Sequence, residues 1–185
     1  MIRSHSIRAA LLAVVSCLAA GPATQPAPAS IAVDGVVAHP LSWSAAELRS
    51  NLAAQVTEIH YDIHDQHHVA HAVPLLAVLQ SAGVGTTLKM DPKVDPKVKN
   101  YSLRLSVVVK GTDGYTATFA LAELLPEIGD RPVWIALDAD GKPLADRFAP
   151  VELISPGDVK PGRWVRGIAS ITVVDPAAAA TRPAR

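Results

Sequence analysis

Residues 56–83 read VTEIHYDIHDQHHVAHAVPLLAVLQSAG. The first eight, VTEIHYDI, alternate apolar and polar side chains, the period of a half-buried strand. A polar stretch turns the chain, and a second run returns to Val73-Pro74. Pro74 then opens LLAVLQSAG, a short apolar helix with proline at its first turn and Gly83 as its stop. Strand, turn, strand and short helix follow one another, without a regular strand–helix alternation.

The same mixture continues on both sides. Upstream, IAVDGVV (31–37) is a short strand carrying an Asp34-Gly35 turn signal, and HPLSWSAAELRSNLAAQ opens a helix. Ser44 with Glu47 three residues on makes a capping box, and Trp43 can staple onto Leu48. Downstream, MDPKVDPKVKN repeats DPKV at 91–98 and reads as an exposed loop. YSLRLSVVV (101–109) places Leu103, Leu105, Val107 and Val109 on one face; KGTDGY turns it, and TATF pairs back. ALAELLPEIG is a helix broken at Pro126. VWIAL (133–137) is nearly all apolar and therefore a buried strand. DADGK is a turn, and VELIS and WVRGIASITVV are the last strands. Strands outnumber short helices throughout, which predicts an α+β fold over a doubly wound sheet.

Five of the seven histidines lie between His60 and His71. With Asp65-Gln66 as the turn, His60 faces His71, Asp62 faces Val69 and His64 faces His67. His60, Asp62, His64, His67 and His71 then share one face, and Ile59, Tyr61 and Ile63 share the other with His68, Ala70 and Ala72. The apolar face is expected to be buried and the histidines to meet solvent. A loop of odd length would send the second strand's histidines to the other face. Opposed Cβ atoms lie about 4.5–5.5 Å apart, close enough for two imidazoles to share an ion. His60 and His64, about 13 Å apart along one strand, cannot share one. The metal candidates are therefore His60 with His71, aided by Asp62, and separately His64 with His67. Imidazole preference points to zinc or copper. A solvated polar face and pH-sensitive contacts to a partner remain the alternatives.

The N-terminus has the layout of a secretory leader. MIRSHSIR carries Arg3 and Arg8 and no acid, AALLAVV is a short apolar run, and GPATQPAPAS follows. Roughly residues 1–29 are thus leader and linker, 30–175 one folded domain, and 176–185 a Pro/Ala tail expected to lack structure. The destination is secretion across the inner membrane, to the periplasm or an envelope anchor. Cys17, the single cysteine, ends VVSC. It is either discarded with the leader or acylated as a lipoprotein cysteine, which would be the only membrane attachment. The folded part is left without thiol, disulfide or thiolate metal ligand. The 17 basic and 17 acidic groups balance, and without Arg3 and Arg8 the remainder holds 15 against 17. No global field points to nucleic acid.

Three segments together resemble a known family: IAVDGVVAHPLSWSAAEL, GTDGYTATFALAELLPEIGDRPVWIALDADGKPL and PVELISPGDVKPGRWVRGIASITV, with AVPLLAVLQSAGV between the first two. They resemble the oxidoreductase molybdopterin-binding domain, the central domain of sulfite oxidase-type enzymes, in a short secreted bacterial variety. The resemblance spans about residues 31–174. It implies mixed β-sheets with short helices and a β-grasp-like part. In the full enzymes a cysteine thiolate ligates molybdenum, and Arg, His and backbone groups hold the pterin. Here the histidine hairpin stands where the ligand-bearing loop should follow its strand, and no cysteine lies downstream of Cys17. The family's pterin pocket borders the region SPGDVKPGRWVRG. Its counterparts here are Lys160, Arg163 and Arg166, with Gly157 and Gly162 allowing backbone approach. A surface loop with Trp164 in the core and the arginines paired to acids is the competing reading.

No GxSxG elbow, HExxH, P-loop or dinucleotide GxGxxG occurs, and no catalytic residue is assigned. The leading expectation is a non-catalytic module that binds a small anionic ligand or a protein partner. A molybdopterin-dependent oxidoreductase of the sulfite oxidase type and an envelope zinc- or copper-binding protein are the alternatives.

Overall fold

The computed structural model describes residues 30–86 and 101–180, the side chains of 179 and 180 excepted. The segment expected to be a leader, with Cys17, the stretch with the DPKV repeat and the last five residues lie outside the described residues. The fold is α+β, with two sheets and short helices.

The first sheet is mixed. β1 (Ser30–Gly35) pairs antiparallel with β2 (Leu41–Ser44) and parallel with β9 (Ile168–Val174). β9 pairs antiparallel with β5 (Ser106–Gly111), and β5 with β6 (Thr116–Ala120), giving the order β2-β1-β9-β5-β6. A central parallel pair joining the two ends of the domain is the β-grasp-like part. β2 is not read as a strand from sequence, because Trp43 and Ser44 carry staple and cap signals for the following helix. They also terminate a strand: Ser44 caps α1 (Ala45–Asn51) with the Glu47 capping box in place. Trp43 and Leu48 pack in the same core.

Gly35 ends β1 at φ +89°, and a Cβ there would stand 2.0 Å from the Val173 carbonyl oxygen. Both the left-handed backbone and the close approach of β9 demand glycine. Gly35→Ala is expected to cost about 2–4 kcal/mol in urea unfolding, by strain and displacement of β9 together.

The second sheet is antiparallel, in the order β3 (Thr57–Ile63), β4 (Gln66–Pro74), β7 (Trp134–Ala136), β8 (Glu152–Ile154). Alternation puts Val73, Ile135 and Leu153 on one face. There they join Ile31, Val33, Val107, Phe119 and Ile171 of the mixed sheet, with Leu75 and Leu79 of α2 (Leu75–Ser81), in the main core. The opposite face carries Ile59, Tyr61, Ala70, Ala72, Ala136 and Ile154, covered by Trp134 and Trp164. α3 (Leu121–Leu124) stops before Pro126, as expected.

Two expectations need correction. The strand read over 101–109 begins at Ser106, because Tyr101–Arg104 form a 3-10 turn. Leu105, Val107 and Val109 do share the buried face, while Leu103 is only half-buried. The tail is also not wholly without structure: α4 (Pro176–Ala180) follows β9. Asp175 accepts from the Ala177 N–H at 3.0 Å, and Pro176 costs no hydrogen bond at a helix start, so alanines of high propensity can follow.

Candidate functional site

The hairpin turns at His64-Asp65, both residues with positive φ (50° and 60°), not at Asp65-Gln66. Two positive φ values match a two-residue turn to the strands' right-handed twist, and His and Asp tolerate them better than Gln. Moving the turn by one position moves the register by two and preserves parity. His60 therefore faces Val69, Asp62 faces His67, and His71 faces Glu58. The expected pairs His60–His71 and His64–His67 do not form, and His64 leaves the shared face for the turn.

The division of faces holds. Ile59, Tyr61, Ala70 and Ala72 are buried, while His60, His67 and His71 are exposed. On the exposed face His67 Nδ1 lies 2.9 Å from Asp62 Oδ1, and His67 Nε2 lies 3.2 Å from His60 Nδ1. His60 Nε2 lies 3.2 Å from Glu58 Oε1. Among the described residues no three His, Cys, Asp or Glu converge as a metal ligand set.

The DADG turn, after β7, runs beside β4 and fixes two more histidines. Asp138 accepts from the His71 backbone N–H at 2.8 Å, sits 3.1 Å from His71 Nδ1, and accepts from Arg49 at 2.8 Å. Burial pulls Asp138 upward, but these donors outweigh it and hold it below the usual carboxylate range. Asp140, which takes the Val69 N–H at 3.0 Å and faces His68 Nδ1 at 2.8 Å, is likewise held low, first by the Val69 N–H. Each carboxylate replaces a strand partner that β4 lacks beyond the end of β7.

The covered face of the second sheet holds the groups that sequence reasoning missed. Glu152 lies in β8 on the same side as Ala136, Ala72 and Tyr61, and is 8% exposed. Burial raises its pKa to about 7, against the opposing pull of Arg166, Arg147 and His68. Tyr61 is pushed up to about 12, by burial and then by the charges of Glu152, Asp140 and Asp138, so its hydroxyl stays a donor. Its ring stacks on His68 at 5.5 Å and meets the edge of Trp164 at 5.4 Å. Arg147 and Arg166 lie over the Phe148 ring at 4.6 and 5.3 Å. Neither arginine has an ion pair among the described residues. The sequence signal was a lone acid inside the apolar run VELI.

The expected cations near the C-terminus separate. Arg163 is held by Asp158 in two bonds, 2.9 and 2.6 Å, and by Glu123 at 3.1 Å, and it lies 4.4 Å over Phe119. The Asp158 bond, first among these, raises Arg163 far above its ordinary range. Lys160 is exposed. Gly157 and Gly162 have open space where a Cβ would go, and neither has a left-handed backbone. Trp164 donates to the Ser155 carbonyl at 3.1 Å. Arg166 alone of the three basic residues joins the Glu152 region.

No family model matches the chain, and no curated protein matches it. Among solved structures, the chain is similar to a crystal structure of the sulfane dehydrogenase SoxCD from Paracoccus pantotrophus, at 17% identity and a TM-score of 0.53. The likeness covers 79% of this chain and 38% of that one, so this chain spans well under half of its neighbour. At that identity it shows the fold alone, a distant molybdopterin-binding-type fold. The residues present do not fit a molybdenum centre of the kind that the sequence resemblance implies. Residues 30–185 contain no cysteine, and the guanidinium of Arg163 is already taken by two carboxylates.

Proposed function

We propose that this chain is a binding module on a molybdopterin-type scaffold, working outside the cytoplasm, that takes a small anion rather than performing molybdenum chemistry. The observation that carries the reading is Arg147 and Arg166 converging on Phe148, without carboxylate partners among the described residues, beside the buried Glu152. Guanidinium groups on an aromatic plane are oriented donors for phosphate, sulfate or carboxylate oxygens. Protonated Glu152 and the Tyr61 hydroxyl would add neutral donors. The leader sequence supports the compartment, and the lack of a downstream cysteine argues against the sulfite oxidase-type alternative.

Calorimetric titration of the untagged chain with inorganic phosphate and with sulfate tests the anion site. Saturable binding is expected, weakened at least tenfold in Arg147→Ala and in Arg166→Ala and unchanged in Lys160→Ala. Equal affinity in wild type and both arginine variants would overturn the site. Stoichiometric molybdenum with extractable pterin in the purified chain would replace the module with the oxidoreductase.

A further inference from the structure

We propose a second, independent site on the exposed face of the β3–β4 hairpin: a divalent late transition-metal ion held between His60 Nδ1 and His67 Nε2. The two side chains are 57% and 60% exposed, so solvent ions reach them. Four groups form a line, Asp62–His67–His60–Glu58, joined by three contacts of 2.9, 3.2 and 3.2 Å. Each contact joins two atoms that accept unless a proton lies between them. Two neutral imidazoles bring only two protons. If these go to the carboxylates, as charge favours, the inner nitrogens face each other with lone pairs. The line is short of one cation, at its centre.

A metal ion answers that shortage. Two nitrogens 3.2 Å apart can share an ion at the usual 2.0–2.1 Å with an angle of about 100°, close to tetrahedral. The rings are nearly parallel, at 20°, and meet nitrogen to nitrogen, with centroids 5.3 Å apart. A modest rotation of the exposed rings aims both lone pairs at one ion. Asp62 and Glu58 already occupy the place of the carboxylates that orient metal-bound histidines and raise their basicity. Water fills the other positions, and the imidazole pair selects zinc, copper or nickel over magnesium or calcium. The register correction is what makes the pair: it takes His71 away to Glu58 and Asp138, and places His67 diagonal to His60. The proposal does not rest on the anion reading, since these groups lie on the opposite face of the sheet from Glu152.

Calorimetry with zinc chloride, and separately copper chloride, on the untagged, chelator-treated chain is the test. One ion per chain is expected, at least tenfold weaker in His60→Ala and in His67→Ala, severalfold weaker in Asp62→Asn, and within twofold of wild type in His64→Ala and His71→Ala. Matched thermal melts exclude unfolding as the cause. Absence of stoichiometric binding means that the central position holds only a proton, and overturns the site. Losses spread evenly over all four histidine variants mean diffuse binding, and overturn it too.

Discussion

Glu152→Gln is expected to stabilise the protein by about 2–3 kcal/mol at pH 8 and to change it little at pH 4.5. The carboxyl titrates near 4.5 when free and near 7 in the fold, because burial disfavours its charge. The folded chain therefore holds the proton more tightly than the unfolded one. Stability from this group is complete below pH 4.5, falls as pH rises toward 7, and then levels off. Gln mimics the protonated form at every pH and removes the slope. Asp158 and Asp175, held below the usual carboxylate range by their Arg163 and Arg104 partners, lose their stabilising contribution only at lower pH. Urea unfolding at pH 5 and pH 8, in a buffer without phosphate or sulfate, reads the difference. Parallel wild-type and variant profiles would show that Glu152 is ionised throughout. Phosphate should enlarge the variant's advantage at pH 8 if Arg147 and Arg166 hold the anion beside this group, because the neutral Gln does not repel it.

A binding module gains from such a residue. A carboxyl near its midpoint at neutral pH donates a hydrogen bond when protonated and repels an anion when ionised. The same scaffold position thus couples anion affinity to pH, strongest on the acidic side, with the arginines supplying constant charge.

Local chemistry was legible in the sequence wherever local geometry decided it. Ser44 and Glu47 announce a helix start three residues apart, and they form the capping box. The hairpin's two faces follow from parity alone, which survives an error of two in register. The turn itself did not follow, because a His-Asp pair in left-handed backbone is selected by strand twist and not by a strong dipeptide signal. Nor did the ion partners. Asp138 and Asp140 look like turn residues in DADG, and only the fold lays that turn beside β4 and its histidines. Glu152 was visible as an acid among apolar neighbours, but its meeting with Arg147, Arg166 and Tyr61 needs three separate segments in register. Arg163 shows the opposite failure: an arginine between glycines reads as a ligand group until Asp158 and Glu123 are found on it.

Phe119→Ala is expected to cost about 3–5 kcal/mol, the range for truncating a fully buried aromatic. Phe119 is 0% exposed in β6 and packs in the main core. Its ring also supports the Arg163 guanidinium at 4.4 Å, and that guanidinium ties the 155–163 loop to α3 through Asp158 and Glu123. Loss of the ring leaves a cavity and frees the arginine's stacked face. Arg163→Ala, at a side chain 31% exposed, should cost less, about 1–2 kcal/mol, since water can solvate the two carboxylates left behind. The double variant should fall short of the sum by about 0.5–1 kcal/mol, the worth of a cation over an aromatic face. The discriminating readout is phosphate affinity in Arg163→Ala. If Arg163 only ties the loop to the core, affinity holds while the melting temperature falls. If affinity falls tenfold at unchanged stability, Arg163 belongs to the ligand, and the anion site lies on the loop face and not beside Glu152.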